Sequence, residues 1–153
     1  MLNIFNRNDD NDYESTGHSP IDDEKKVQIA TCALFIEIAK ADYDFAVEER
    51  EKIIAFMKKC FNLDDNEVLE LMKLAEKKVD ESVSIYEFSA VINKHFSDKD
   101  KFDLMKNLWK LIYVDNSLHM YEDNMIKKIG GTLNFSHKRI IEAKMLVREE
   151  LGL

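Results

Sequence analysis

Two stretches of this sequence share one pattern of apolar and acidic positions. Equivalent positions lie 73 residues apart, as Asp42 and Asp115 do. In each stretch an apolar segment ends in an aspartate, and a second apolar segment with acidic residues at its start follows. The matching pairs are Phe35 and Leu108, Ile38 and Leu111, Glu49 and Glu122, Ile53 and Ile126, and Phe56 and Ile129. After a one-residue slip, Phe61-Asn62-Leu63 matches Leu133-Asn134-Phe135, and Val68 matches Ile140. Two such copies would each expose an apolar face, so we expect them to pack together as one pseudo-symmetric domain.

The apolar positions recur at helical spacing, and only 4 Gly and 1 Pro are available to interrupt long helices. Ser19-Pro20 is typical of a helix start, and the N-cap residues Asp64, Ser84, Ser97 and Ser136 mark later starts. Ser84 is followed by Glu87, which completes the pattern of a capping box. The predicted helices cover about 20–41, 47–61, 65–79, 85–92, 98–112, 121–133 and 137–150. This predicts an all-α fold of about seven helices, in which the fourth helix connects two three-helix halves.

Most of the net negative charge lies at the start of the chain. The formal charge is −8, and residues 1–24 hold seven acidic residues against one arginine. Residues 1–18 are poor in apolar side chains and are predicted to form a disordered acidic tail. Residues 19–153 are predicted to form a single domain, with halves at about 19–80 and 97–151. This domain is nearly balanced in charge and has no basic stripe, so we do not expect a nucleic-acid partner.

Several single residues have structural interpretations. Cys32 and Cys60 are isolated from each other and are predicted to be small buried residues. Trp109 is predicted to anchor the core, and Gly130-Gly131 to mark a close helix contact or a helix interruption. Methionines at helical spacing are also predicted to pack in the core: Met57, Met72, Met105, Met125 and Met145. No apolar run approaches the length of a membrane span or a secretory signal, which predicts a cytoplasmic protein without an integral membrane segment.

The two interhelical segments carry a recognisable motif. Ala39-Lys40-Ala41-Asp42 leads to Glu48-Glu49-Arg50, and Tyr113-Val114-Asp115 leads to Leu118-His119 and Glu122. Both resemble the signature of the TerB-like family of tellurite-resistance-associated proteins, in which a helix ends in Ala-Asp and the next begins with acidic residues. The resemblance covers about residues 25–150. It implies an all-helical, bacterial, cytoplasmic protein linked to tellurite or metal stress, whose acidic loop residues bind a metal ion.

These loops supply the candidate ligands of a divalent metal ion: Asp42, Glu48, Glu49, Asp115, His119 and Glu122. His119 and Glu122 lie three residues apart at the start of one helix, so both side chains can point the same way. The spacing does not match an EF-hand, because Val47 occupies the position that requires glycine. The same residues also fit a structural role, with His119 as an N-cap, Glu122 at the third helical position, and the two aspartates holding the turns.

No nucleophile with a nearby histidine and acid is evident, and no glycine-rich loop precedes a helix, so we expect a protein that is not an enzyme. Two hypotheses remain open. The first is a metal-binding domain with no other cofactor. The second is an interaction module for an unidentified protein partner, in which the loop acids only cap helices. Carboxylates of both loops gathered in one place would favour the first, and dispersed caps beside an exposed apolar groove would favour the second.

Overall fold

The computed structural model describes residues 20–41, 47–81, 84–115 and 120–153. These residues form seven α-helices and no strand, which confirms the predicted all-α fold. The helices are α1 (Pro20–Ala39), α2 (Val47–Phe61), α3 (Asp65–Asp80), α4 (Ile85–His95), α5 (Asp98–Ile112), α6 (Met120–Thr132) and α7 (His137–Glu150). A 3-10 turn, Tyr113–Asp115, continues α5. The acidic tail predicted for residues 1–18 lies outside the described residues.

Helix starts follow the local capping chemistry that the sequence predicts. The Asp64 carboxylate accepts a hydrogen bond from the N–H of Glu67 at 2.8 Å. Glu67 Oε1 in turn accepts from the N–H of Asp64 at 3.2 Å, so α3 begins with a capping box. Ser97 and Ser136 each accept from the backbone N–H three residues further on, at 3.1 and 3.2 Å. Each of these bonds satisfies an N–H group that has no partner within its helix.

Two details differ from the sequence predictions. Ser84 does not form the predicted capping box, because its hydroxyl accepts from the N–H of Tyr86, two residues on, at 3.1 Å. Met145 was predicted to pack in the core but is 54% exposed. The buried face of α7 consists of Ile140, Ala143 and Val147. Because Met145 lies on the opposite side of the helical wheel from these positions, its side chain points to solvent.

Helix α1 forms the centre of the molecule and packs against α2, α3, α4, α5 and α6. Its side chains are buried on nearly every face from Val27 to Ala39. In the second half, Trp109 of α5 is fully buried, as predicted, and its indole N–H donates to the carbonyl oxygen of Ile140 at 3.1 Å. Both cysteines are buried and free, which confirms their predicted role as core residues.

The helix contacts of the two halves correspond. In each half the first helix packs against the second and third, and the second packs against the third. Between the halves, α1 packs against α6 as α5 packs against α2. The turns after α2 and α6 also match, since the Leu63 N–H donates to the Lys58 carbonyl oxygen at 3.2 Å and the Phe135 N–H to that of Gly130 at 3.0 Å.

Asparagine occupies the left-handed position in both of these turns. Asn62 has φ 55° and Asn134 has φ 69°, and among the described residues no other non-glycine residue has a positive φ. Asparagine tolerates this conformation better than most residues with a Cβ atom. The same turn chemistry therefore ends the second helix of each half.

The connector α4 lies over the junction between α1 and α6. Two polar contacts attach it to the end of α6. Ser89 Oγ lies 2.6 Å from Thr132 Oγ1, and Asn93 Nδ2 donates to the Thr132 carbonyl oxygen at 3.0 Å. The buried Lys101 of α5 donates to the Leu133 carbonyl oxygen at 3.1 Å, which further fixes this corner. The pseudo-symmetric counterpart of this junction, between α2 and α5, carries no covering helix in the described part of the chain.

Candidate acidic site at the starts of α2 and α6

The two central acids of the predicted site occupy the same position in their helices. Helix α2 begins at Val47 and α6 at Met120, so Glu49 and Glu122 are each the third helical residue. Both side chains are buried, with 9% and 3% of their surface exposed. Negative charge in a first helical turn is favoured by the helix dipole. The structure therefore holds one buried carboxyl group at the start of the second helix of each half.

Local periodicity explains why these acids face inward. Ile53 follows Glu49 by one helical turn, Ile126 follows Glu122 in the same way, and both isoleucines are fully buried. Residues four apart share a helix face, so the face that buries each isoleucine also buries the acid before it. Glu48, by contrast, is exposed on the next face of α2. A buried carboxylate is costly unless a cation or hydrogen-bond donors surround it, and Glu49 and Glu122 are the buried members of the predicted ligand set.

Asp123 is a further acid that the sequence analysis did not single out. One of its oxygens accepts from Lys127 Nζ at 2.6 Å. Its other oxygen, Oδ1, is buried and has no hydrogen-bond partner among the described residues. A buried oxygen of this kind is normally satisfied by water, an ion or another donor. The detectable signal was the pair of adjacent acids Glu122-Asp123, although Asp123 matches Arg50 rather than an acid in the first half.

The start of α2 lies close to the second loop. Helix α2 packs against the 3-10 turn Tyr113–Asp115. One cavity is lined by Lys52, near the start of α2, and by Leu111, near the end of α5. The neighbouring cavity is lined by Cys60, near the end of α2, and by Asp103, in the first half of α5. The two helices therefore run in opposite directions. The first turn of α2 precedes Lys52 and the 3-10 turn follows Leu111, which places these two segments side by side. The acids that open α2 are thus brought to the segment from which the second loop departs.

Other members of the predicted site fall outside what the structure describes. Asp42 and His119 lie in the undescribed loops, and only the backbone of Asp115 is described. Within residues 20–41, 47–81, 84–115 and 120–153 no group of three or more His, Cys, Asp or Glu side chains is placed to hold a metal ion. A complete site would therefore need ligands from the loops in addition to Glu49 or Glu122.

Charged groups around the two helix starts shape the local electrostatics. Burial raises the pKa of the Glu37 carboxyl group, and the nearby positive charges of Lys40 and Lys128 partly offset this rise. Burial also raises the pKa of Tyr113; Arg148 opposes the shift and Asp123 adds to it. Asp123 therefore lies near enough to the 3-10 turn to act on its tyrosine.

Comparison with known families gives one result. The family model described as "Tellurite resistance protein TerB" matches residues 28–145, which is more than half of the chain. The chain belongs to the TerB family. The match includes both acidic helix starts and the connector α4, so the resemblance noted at the two motifs is confirmed. No curated protein and no solved structure gave a significant match. Among the described helices of this TerB-family domain, none is long and apolar enough to cross a membrane.

Proposed function

We propose that this TerB-family domain is a non-enzymatic protein that binds a divalent cation through carboxylates at the starts of α2 and α6. The burial of Glu49 and Glu122 at matching positions is the observation that carries this proposal. Carboxylate oxygens are the preferred ligands of hard cations such as Mg²⁺, Ca²⁺ and Mn²⁺, and His119 would add a nitrogen ligand suited to Zn²⁺. The family resemblance implies a role in tellurite or metal stress, and we propose that the bound cation serves this role.

Three observations support a cation rather than capping alone. Asp123 Oδ1 is a buried oxygen that no described donor satisfies. The first turn of α2 lies beside the 3-10 turn Tyr113–Asp115, so the acids that open α2 lie next to the end of the first helix of the second half. The residue before Val47 is Ala46, whose side chain has no oxygen to cap α2. The side-chain half of a capping box is therefore absent at this helix start.

The test is a thermal-unfolding titration of the full chain with Mg²⁺, Ca²⁺, Mn²⁺ and Zn²⁺, together with elemental analysis of the purified protein. A cation that binds only the folded state stabilises it by about 2.7 kcal/mol at a concentration of 100 Kd, which corresponds to a rise of about 5–11 °C in Tm for a domain of this size. Glu122→Gln and Glu49→Gln should remove most of this rise, because an amide is a poorer ligand for a hard cation.

The matched control is Glu70→Gln, which makes the same chemical change at an exposed position of α3. This variant should keep the cation-dependent rise in Tm. His119→Ala separates the two roles of the second loop, since loss of a helix cap lowers stability by about 0.5–2 kcal/mol whether or not a cation is present. If none of the four cations stabilises the wild-type protein, the cation proposal is wrong.

A second candidate function, a protein-interaction module, is supported by the outer face of α7. Met145 and Leu146 are exposed there and, with Leu153, line a shallow cavity of about 600 Å³. Exposed apolar residues grouped with charged neighbours are typical of protein-binding surfaces. Met145→Glu with Leu146→Glu should abolish capture of a specific partner, whereas Lys73→Glu with Lys78→Glu on α3 should not. Equal capture by both double variants would exclude this face.

A further inference from the structure

A groove runs between α2 and α5, on the side of the molecule opposite to the α1–α6 junction that α4 covers. Two adjoining cavities of about 350 and 200 Å³ form it, and they share Phe56, Lys59, Asn107 and Lys110 as lining residues. The apolar part of the wall includes Phe56, whose ring centroid lies 4.7 Å from that of Phe35, together with Leu111. The groove therefore combines an aromatic and aliphatic wall with polar edges.

Four lysines give this groove a positive charge in a protein of net charge −8. They are Lys52 and Lys59 on α2 and Lys106 and Lys110 on α5. Lys110 lies 3.1 Å from a Glu150 oxygen, and Lys106 lies 3.8 Å from Asp103, the acid that also lines the groove. Lys52 and Lys59 are exposed and contact no carboxylate within the described residues. An occupant of this groove should therefore carry both apolar side chains and negative charge.

Pseudo-symmetry indicates where such an occupant would come from. Helix α4 directly precedes α5 in the chain and packs across α1 and α6. The repeat makes α1 and α5 equivalent to each other, and likewise α2 and α6. A segment that directly precedes α1 would therefore pack across α5 and α2, which is the location of the groove. Residues 1–19 hold this position in the chain.

The chemistry of residues 1–19 matches the groove. The segment opens with the apolar residues Met1, Leu2, Ile4 and Phe5 and continues with the acids Asp9, Asp10, Asp12 and Glu14. It is also long enough, because 19 extended residues span up to about 60 Å, whereas the α2 wall from Lys52 to Cys60 is only about 12 Å long. A tethered segment also reaches effective concentrations of the order of millimolar, so even a weak interaction would be populated.

We propose that the acidic segment of residues 1–19 docks into the α2–α5 groove, with its apolar residues against Phe56 and its acids beside Lys52 and Lys59. The sequence alone predicts a disordered tail for residues 1–18, and the groove offers that segment a surface on which to dock. In the second half, α4 already fills the equivalent position, so each junction between the halves has its own covering segment. The proposal does not depend on cation binding at the starts of α2 and α6.

The test uses the full chain with a paramagnetic label on a cysteine introduced at Asn11→Cys, between two acids of the segment. Burial raises the pKa of both native thiols, to about 12 for Cys32, so the introduced thiol is the one that reacts. Docking predicts strong broadening of the amide resonances of Phe56 and Asn107, and little effect at Val91 on α4. At about 1 M salt the screening length falls to about 3 Å, and the broadening should weaken.

Charge reversal supplies the matched comparison. The double variant Lys52→Glu with Lys59→Glu should restore the groove resonances. The control is Lys73→Glu with Lys78→Glu, which changes the net charge equally at exposed positions of α3 and should leave the groove resonances broadened. A mixture of labelled, isotope-free protein with unlabelled, isotope-enriched protein identifies docking between molecules. The proposal is overturned if the groove resonances are not broadened, or if the broadening survives charge reversal at Lys52 and Lys59. It is also overturned if the mixed sample shows the same broadening, because the occupant of the groove would then be a second copy of the protein.

Discussion

Gly130 allows α6 to approach α7 more closely than any residue with a side chain could. A Cβ atom built on Gly130 would lie 2.5 Å from Ile140 Cδ1, 2.7 Å from Ile140 Cγ1 and 3.3 Å from Met105 Cε. Ile140 and Met105 are both buried, and Ile140 also carries the carbonyl oxygen that accepts from Trp109. Because the isoleucine is branched at Cβ and enclosed, it cannot move aside freely.

The neighbouring Gly131 gives a matched comparison, since a Cβ atom there would meet nothing within 4 Å. Gly131→Ala should stabilise the protein by about 0.5–1 kcal/mol through helix propensity alone. Gly130→Ala gains the same propensity, but overpacking costs about 1–3 kcal/mol. We therefore expect Gly130→Ala to be less stable than Gly131→Ala by about 1–3 kcal/mol, which is a difference of about 3–10 °C in Tm.

Denaturant unfolding followed by Trp109 fluorescence measures this difference directly. Ile140→Ala provides the cross-check, because it removes both atoms that the new methyl group would strike. Its cost should be smaller in the Gly130→Ala background than in the wild-type protein, with a coupling energy of about 0.5–3 kcal/mol. If Gly130→Ala proves as stable as Gly131→Ala, the close approach between α6 and Ile140 does not constrain this position.

Three other predictions concern the turns, the thiols and a half-buried acid. Asn134→Ala should lower stability by about 1–2 kcal/mol in denaturant titrations, since its φ of 69° disfavours a Cβ atom, whereas Asn134→Gly should not. Cys32 and Cys60 should stay unreactive towards a disulfide reagent at about pH 8 until denaturant is added, because burial raises the pKa of both; rapid labelling of the native protein would contradict this. Burial raises the pKa of Glu37 above its usual 4.5, so the folded state binds this proton more tightly and loses stability as pH rises above that value. Glu37→Gln should therefore raise Tm more at pH 7 than at pH 4, and an equal change at both would refute the shift.

The helices could be predicted because their signals are local. Asp64 and Ser136 mark helix starts through side-chain oxygens, and apolar spacing gives the buried faces, so the observed bounds differ from the predicted ones by only a few residues. Tertiary details were harder. Met145 has the same spacing from its apolar neighbours as a core residue, and only the direction from which α5 approaches α7 decides that it faces solvent.

The candidate site was predictable in part for the same reason. The adjacent acids at the starts of α2 and α6 are visible in the sequence, and the isoleucine four residues after Glu49 and Glu122 indicates their face, but only the packing of the neighbouring helices decides how deeply they are buried. The α2–α5 groove was not predictable either, because its lysines come from two helices whose apposition depends on the packing of the whole domain.

A feature that occurs in both halves can be explained by the needs of folding, whereas a feature of one half needs another explanation. The turns after α2 and α6 place an asparagine in the left-handed conformation in both halves, where it ends the second helix, so folding explains them. Glu49 and Glu122 are also repeated, so their repetition alone is compatible with a folding role. Their case for cation binding therefore depends on burial, on Asp123 and on the contact between α2 and the 3-10 turn Tyr113–Asp115. The lysine-lined groove has no counterpart in the described residues, because α4 covers the equivalent surface, so symmetry alone does not explain it.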